Sequence, residues 1–394
     1  MQSTRITIYG FYFAFWVLGI SAILLGVNGE NLTQQFNMPL EDSGVFISLQ
    51  GLGSTITILF IGIAYNYYHP RFLLLSGPIL LASGCGIIGL AESQIIAILG
   101  ALLLGLGFGA LLVGPNMIIP TLNKGKSTGA LNALNMFFGI GAVAGPQIVN
   151  LAMRFDDYRL SFLFCGLCAF IVVIVFSFIQ LPQTLNDGEN QAPVGSLRTM
   201  WTNISWIIIL PFSILLLLYV GTEVGFGAWL YTQMTRVAGA TESDATLIVS
   251  LFWGGIVLGR LLASKFAESV NAEHLLLLTI ATIGIATGIL LAFSDSVIIG
   301  AVSAFIVGIG CGPVFPTTLA IVSDTYPRLF ILSSGIIIAI GNLGAMIIPW
   351  AQGQVGRGEN GGMIVPFILA GVMIIIAIYI QQQVYQKRQL TISS

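Results

Sequence analysis

Twelve apolar runs dominate the chain, at roughly 7–29, 43–66, 71–91, 94–120, 127–152, 159–181, 204–233, 244–268, 273–293, 296–321, 329–353 and 363–385. Each is about as long as a helix must be to cross roughly 30 Å of hydrocarbon, and about twice as long as a barrel strand needs. Helices are therefore the spanning form that fits. Polar residues are gathered into short connections. The longest, Pro182 to Asn203, has Asn186, Asp187, Gly188, Glu189, Asn190 and Gln191 at its centre and reads as a linker. The pattern predicts an all-α membrane protein of twelve transmembrane helices in two six-helix bundles. The expected bundles are residues 1–182 and 204–394, with a cytoplasmic linker at 183–203.

Composition excludes the water-soluble alternative. Hydrophobic residues make up 56% and charged residues 8%, against about 25% charged in soluble domains. Mean hydropathy is +0.95. Such a chain cannot cover its surface with charge and must keep it in lipid. The first run, reaching Val27 behind the single base Arg5, is too long for a signal-peptide core and reads as a true span. With both termini cytoplasmic, ten of the 14 basic residues fall inside, among them Arg71, Lys124, Lys126, Arg198, Lys387 and Arg388. Arg154, Arg159, Arg236 and Arg357 fall outside. The positive-inside rule supports that orientation. The expected location is a bacterial inner (plasma) membrane, and the expected state is a monomer among lipids.

The two halves repeat at an offset of 203 residues. Gly105, Gly107 and Gly109 fall on Gly308, Gly310 and Gly312. Gly141, Ala142 and Pro146 fall on Gly344, Ala345 and Pro349, and Gly51 falls on Gly254. One register serving three helix pairs predicts a duplicated unit. The glycine runs lie inside apolar helices with no preceding strand or companion lysine, so nucleotide binding is not expected. They read either as tight static packing or as sliding contacts between spans.

Candidate chemistry is sparse. Glu223, within Gly221-Thr-Glu-Val-Gly225-Phe-Gly227, is an acid placed inside a span. A charge there costs at least about 2.5 kcal/mol, so it is read as a candidate ion-coupling residue, beside the alternative of a structural acid. Gln50, Asn116, Asn135, Gln147 and Asn342 are neutral amides within spans. Amides both donate and accept, which suits a hydroxyl-rich solute, though interhelical bonding is an equal reading. Trp229 and Trp253 are candidates to stack on a sugar ring, or interfacial anchors. Arg260 is expected to snorkel to the cytosolic surface, with a latch to Glu268 or Asp324 as the alternative. Cys85, Cys165, Cys168 and Cys311 read as packing residues. No Ser-His-Asp or metal constellation is evident, and the histidines are His69 and His274. Neither an enzyme, a cofactor nor a nucleic-acid partner is expected.

Three stretches carry a family resemblance: Gly129 to Pro146, Gly221 to Leu230, and Cys311-Gly-Pro-Val-Phe-Pro-Thr-Thr-Leu319. Together with two six-helix halves, they resemble the major facilitator superfamily, and more narrowly its fucose-permease-like sugar symporters. The resemblance implies a secondary transporter working by alternating access, with a small polar solute, most naturally a sugar, driven by a proton or sodium gradient. Efflux of an amphipathic drug or lipid is the alternative, kept open by 25 phenylalanines. The sequence departs from the superfamily in the loop after the second span, where Asn66 replaces the usual acid. It departs from the fucose permeases in lacking an acid in the middle of the first or fourth span. Glu223 is then the remaining coupling candidate.

Overall fold

The computed structural model describes residues 2–64, 70–122, 127–179, 206–266, 270–325, 327–356 and 362–392. Among these the regular structure is helical, without strands. Twelve long helices follow the apolar runs: α1 (Gln2–Val27), α2 (Gly44–Ala64), α3 (Pro70–Gly89), α4 (Gln94–Leu122), α5 (Ser127–Met153) and α6 (Arg159–Phe178) come first. Then come α7 (Trp206–Thr232), α8 (Glu242–Phe266), α9 (Ala272–Ala292), α10 (Val297–Thr325), α11 (Pro327–Val355) and α12 (Ile364–Ile392). Eleven are long and apolar enough to cross a membrane, and the described apolar part of α3, Leu74–Gly89, is shorter. The linker expected at 183–203 lies outside the described residues, as do His69 and Glu268.

The way each helix divides its faces shows which solvent it is built for. On α6 the buried positions are Ser161, Phe162, Cys165, Gly166, Cys168, Ala169, Val172 and Phe176. These recur at helical spacing and are mostly small, which lets neighbouring backbones approach. The opposite face exposes Phe164, Leu167, Phe170 and Ile174. A helix that buries small residues and exposes large apolar ones is suited to lipid, where exposed hydrocarbon costs nothing.

Turns between helices follow local chemistry. A short helix, Gly29–Gln35, follows α1, and Asn37 with φ 53° turns the chain out of it. Asparagine tolerates that left-handed conformation better than most residues. After α7 the helix widens into a π turn, Gln233–Val237, and Gly239 at φ 70° ends it.

The chain divides into two compact units. One comprises the described residues between Met1 and Gln191 with Glu242–Ser250, and the other those between Ala192 and Thr241 with Leu251–Ser394. In the first unit α4 packs on α2 and α3, and α5 on α1. In the second α10 packs on α9, and α11 on α7.

Glycines set these approaches, and they do so twice. A Cβ at Gly105 would lie 2.2 Å from the Gln50 carbonyl oxygen; at Gly308 it would lie 2.1 Å from that of Phe252. At Gly109 the obstacle is the Ser54 oxygen at 2.5 Å, and at Gly312 the Ile256 oxygen at 2.4 Å. A Cβ at Gly141 would lie 2.0 Å from the Trp16 oxygen, and one at Gly344 would lie 1.9 Å from that of Leu217. The repeat seen in the sequence is thus a repeat of backbone contacts, each inside its own unit. It shifts one detail. Gly254, matched with Gly51 in sequence, meets nothing within 4 Å. The working pair is Gly53, where a Cβ would lie 2.5 Å from the Leu102 oxygen, and Gly255, where one would lie 2.3 Å from the Phe305 oxygen.

Candidate functional site

In the second unit, α7, α8 and α10 meet at a polar point in otherwise apolar surroundings. Tyr219 and Glu223 stand one turn apart on one face of α7, as i and i+4 positions do. Tyr219 is fully buried, and its hydroxyl donates to the Cys311 carbonyl of α10 at 2.9 Å. From α8, Arg260 Nε donates to the adjacent carbonyl, Gly312, at 3.3 Å.

The local sequence explains why a carbonyl is available there. Pro316 has no N–H to offer the Gly312 oxygen four residues before it. An unsatisfied carbonyl in such a setting costs about 1–3 kcal/mol. Arg260 supplies the missing donor. Gly312 also lets α8 come close, since a Cβ there would lie 2.9 Å from the Arg260 backbone nitrogen. The expected snorkelling of Arg260 is therefore corrected: its guanidinium turns to the broken helix, because a buried carbonyl needs it. Of its suggested acidic partners, Glu268 and the side chain of Asp324 lie outside the described residues.

Glu223 is surrounded by protein yet keeps part of its surface accessible. Its carboxylate faces the Tyr219 hydroxyl and lies in the field of the Arg260 guanidinium. Among the described residues no direct ion pair joins Glu223 to Arg260, whose Nε is held on α10. The arrangement is an acid with some access, one resident cation and one phenol, all around a proline break.

The predicted amides are dispersed. Gln50 is buried on α2, and its Nε2 donates to the Ser21 carbonyl of α1 at 3.3 Å. Asn116, half-buried on α4, turns its Nδ2 back to Leu112 O of its own helix at 2.8 Å. Asn135 is exposed on α5. Gln147, also on α5, donates to Ser250 Oγ at 3.1 Å inside the first unit. Asn342 on α11 is half-buried and makes no side-chain hydrogen bond among the described residues.

The two tryptophans differ. Trp229 is buried, and its Nε1 donates to the Pro349 carbonyl of α11 at 2.9 Å, which ties α7 to α11. Trp253 lies across Gly227, where a Cβ would sit 3.4 Å from its ring, and its buried Nε1 has no partner among the described residues. Glycine at 227 leaves room for that indole.

Sequence reasoning missed several polar atoms. Tyr219 stands four residues before Glu223 and Pro316 four after Gly312, so both signals were present in the spacing. Which carbonyl met which donor required the packing of α7, α8 and α10. Thr222 Oγ1, Gln352 Oε1 and both amide atoms of Gln233 are also buried without partners among the described residues. Gln233 opens the π turn, a distortion that often marks functional segments.

A family model, Major Facilitator Superfamily, matches residues 10–238 and again 212–381. Among characterised relatives, a sodium-dependent glucose transporter 1A of Mus musculus is 21% identical, over 86% of this chain and 87% of its own length. The glucose/mannose transporter GlcP of Bacillus subtilis is 25% identical, over 88% of this chain and 86% of its own. The crystal structure of the E. coli fucose:proton symporter superposes with a TM-score of 0.67 at 16% identity, covering 96% of this chain and 99% of that one. That last likeness speaks to fold alone.

Proposed function

The chain belongs to the Major Facilitator Superfamily and is an integral membrane transporter, and on that premise we propose a sugar symporter, taking up a monosaccharide by alternating access and driven by a cation gradient acting through Glu223. The observation that carries this reading is the Glu223 site: an acid part-accessible in an apolar helix, beside Tyr219 and Arg260, at a proline break in α10. A carboxylate kept at such a cost is expected to work, and broken spans are where transporters of this kind bind their ligands. Two relatives whose names are those of glucose transporters support the choice of a sugar.

Gln50, Asn116, Asn135, Gln147 and Asn342 are the amides proposed to address the hydroxyls of the solute. Of these amides and the two tryptophans, Asn342 and the Trp253 Nε1 have no hydrogen-bond partner among the described residues. Trp253 is the better stacking candidate, and Trp229 contributes by holding α7 against α11. The proposal includes uptake rather than efflux, bundles at 1–182 and 204–394, cytoplasmic termini, a bacterial inner membrane and a monomer.

Reconstituted protein tests it. Counterflow of labelled D-glucose or D-mannose, without any ion gradient, is expected to saturate. A full panel of monosaccharides that failed to exchange would sink the sugar assignment. Glu223→Gln is expected to retain counterflow and lose gradient-driven accumulation, and accumulation in that variant would remove Glu223 from the coupling role.

A further inference from the structure

Resting on that reading, we propose that Ser250 of α8 stands in for a sugar hydroxyl at Gln147 of α5: without solute its hydroxyl fills the amide that the sugar uses, and with Ser243 on Asn150 it holds the first turns of α8 against α5, so that a sugar binds by displacing it.

Helix α8 is divided between the two units. Glu242–Ser250 belongs with the first, and the residues from Leu251 onward belong with the second. Two amide–serine bonds tie that first segment to α5. Gln147 Nε2 donates to Ser250 Oγ at 3.1 Å, and Asn150 Nδ2 donates to Ser243 Oγ at 3.2 Å. Gln147 and Asn150 are i and i+3 on one face of α5, and Ser243 and Ser250 are i and i+7 on one face of α8. Ser250 is buried, and both sides of its hydroxyl are engaged. The oxygen accepts from Gln147. Its single proton has two acceptors in reach, the Val143 carbonyl of α5 at 2.9 Å and the Thr246 carbonyl of its own helix at 3.1 Å. The second is the i−4 bond that Ser177 and Ser213 make in their own helices at 2.8 and 3.0 Å. Ser250 can therefore leave α5 and keep a partner. Gln147 is exposed, so its amide is within reach of a solute. A sugar hydroxyl, like that of serine, offers one proton and two lone pairs. It can replace Ser250 on Gln147 Nε2 with no buried group left unpaired in either state. Two arrangements with equal numbers of bonds make a switch that a ligand can tip. Ser250 is a positioning residue in it: it sets the cost of occupying Gln147 without touching the sugar.

The test uses the full chain in proteoliposomes, with counterflow of D-glucose and D-mannose. Ser250→Ala removes the internal competitor. It is expected to lower the half-saturation concentration about fivefold, the worth of one hydrogen bond, with no fall in the maximal rate. Ser250→Thr keeps the hydroxyl and is expected to match the wild type. In a Gln147→Ala background, Ser250→Ala is expected to have no further effect on half-saturation. A Ser250→Ala variant whose half-saturation is unchanged or raised, as a purely structural bond would give, would overturn the proposal. So would a further drop in the Gln147→Ala background. Ser243→Ala loosens the same segment and is expected to act in the same direction, which keeps the test decisive if Ser250→Ala folds poorly. Amide hydrogen exchange in detergent, with no sugar present, judges the tie separately from the sugar assignment. Exchange across Glu242–Ser250 is expected to be about fivefold faster in Ser250→Ala than in the wild type. A monosaccharide panel that failed to exchange would sink the sugar reading, whereas unchanged hydrogen exchange in that segment would sink the tie of α8 to α5.

Discussion

The two six-helix units share their backbone contacts and differ in what they place beside them. Gly105, Gly109 and Gly141 in the first press on carbonyls of Gln50, Ser54 and Trp16; Gly308, Gly312 and Gly344 in the second press on those of Phe252, Ile256 and Leu217. Carrying these equivalences along the helices pairs Glu223 with Ala22, Tyr219 with Leu18 and Arg260 with Ile58. The first unit thus has the notches without the charges. Duplication preserved what a glycine notch requires, since any side chain there collides with backbone that cannot move aside. Polar groups at the neighbouring positions were free to differ. The scaffold is symmetric, and the coupling chemistry proposed for it belongs to one side.

The largest effects are expected where the units agree most closely. Gly141→Ala and Gly344→Ala would each drive a Cβ to within 2.0 Å and 1.9 Å of a carbonyl oxygen. Overpacking of this kind costs about 1–3 kcal/mol and sometimes more, and backbone obstacles place these two at the upper end. Thermal unfolding of the detergent-solubilised variants is expected to show losses of about 3 kcal/mol in both, matched to within about 1 kcal/mol. A large loss in one variant and none in the other would break the equivalence of the units.

The next effect probes the difference. Glu223→Gln removes the acid and is expected to abolish the roughly tenfold accumulation that one pH unit supports. Adding Ala22→Glu to that variant puts an acid at the equivalent place in the first unit. No arginine waits there, because Ile58 stands where Arg260 would. The double variant is expected to remain uncoupled in the same proteoliposome assay. Restored accumulation would mean that the two sides are chemically interchangeable and that the Arg260 environment is dispensable.

How much of this the sequence disclosed follows from the range of each interaction. The helices were legible because twenty-residue apolar runs admit one spanning form, and the repeat because glycine notches recur at fixed spacing. Glu223 stood out because an acid in an apolar run is costly wherever the helix packs. Arg260 was misread because its sequence neighbours, Gly259 and Lys265, describe a helix end. Its actual partner is a carbonyl 52 residues away, freed by Pro316. The amides were recognisable as polar and within spans, but not which were already engaged. Gln50 on Ser21 and Asn116 on its own helix are satisfied, while Asn342 is not. That distinction depends on side-chain direction, which periodicity does not encode.

A smaller effect concerns Tyr219, another side chain in the second unit that has no polar counterpart in the first. Tyr219→Phe keeps the ring and deletes the hydroxyl that donates to Cys311. The expected cost is about 1 kcal/mol in unfolding, the net value of one such bond. A variant as stable as the wild type would show that the phenol serves packing alone.

The smallest effect separates packing from motion. Gly254 lies in α8, one residue from the notch glycine Gly255, and a Cβ there meets nothing within 4 Å. Alanine is favoured over glycine in a helix interior by about 1 kcal/mol, so Gly254→Ala is expected to raise stability by up to that amount. Gly255→Ala next to it faces the Phe305 oxygen at 2.3 Å and is expected to lower stability instead. If Gly254 were a packing glycine, its replacement would cost stability and transport together. If it is a hinge or a sliding surface, the variant becomes more stable while the rate of counterflow falls. A variant that is more stable and exchanges sugar at the wild-type rate would leave α8 with one working glycine at this level, Gly255, as its counterpart α2 has Gly53, and the symmetry of the notches would then extend to their number.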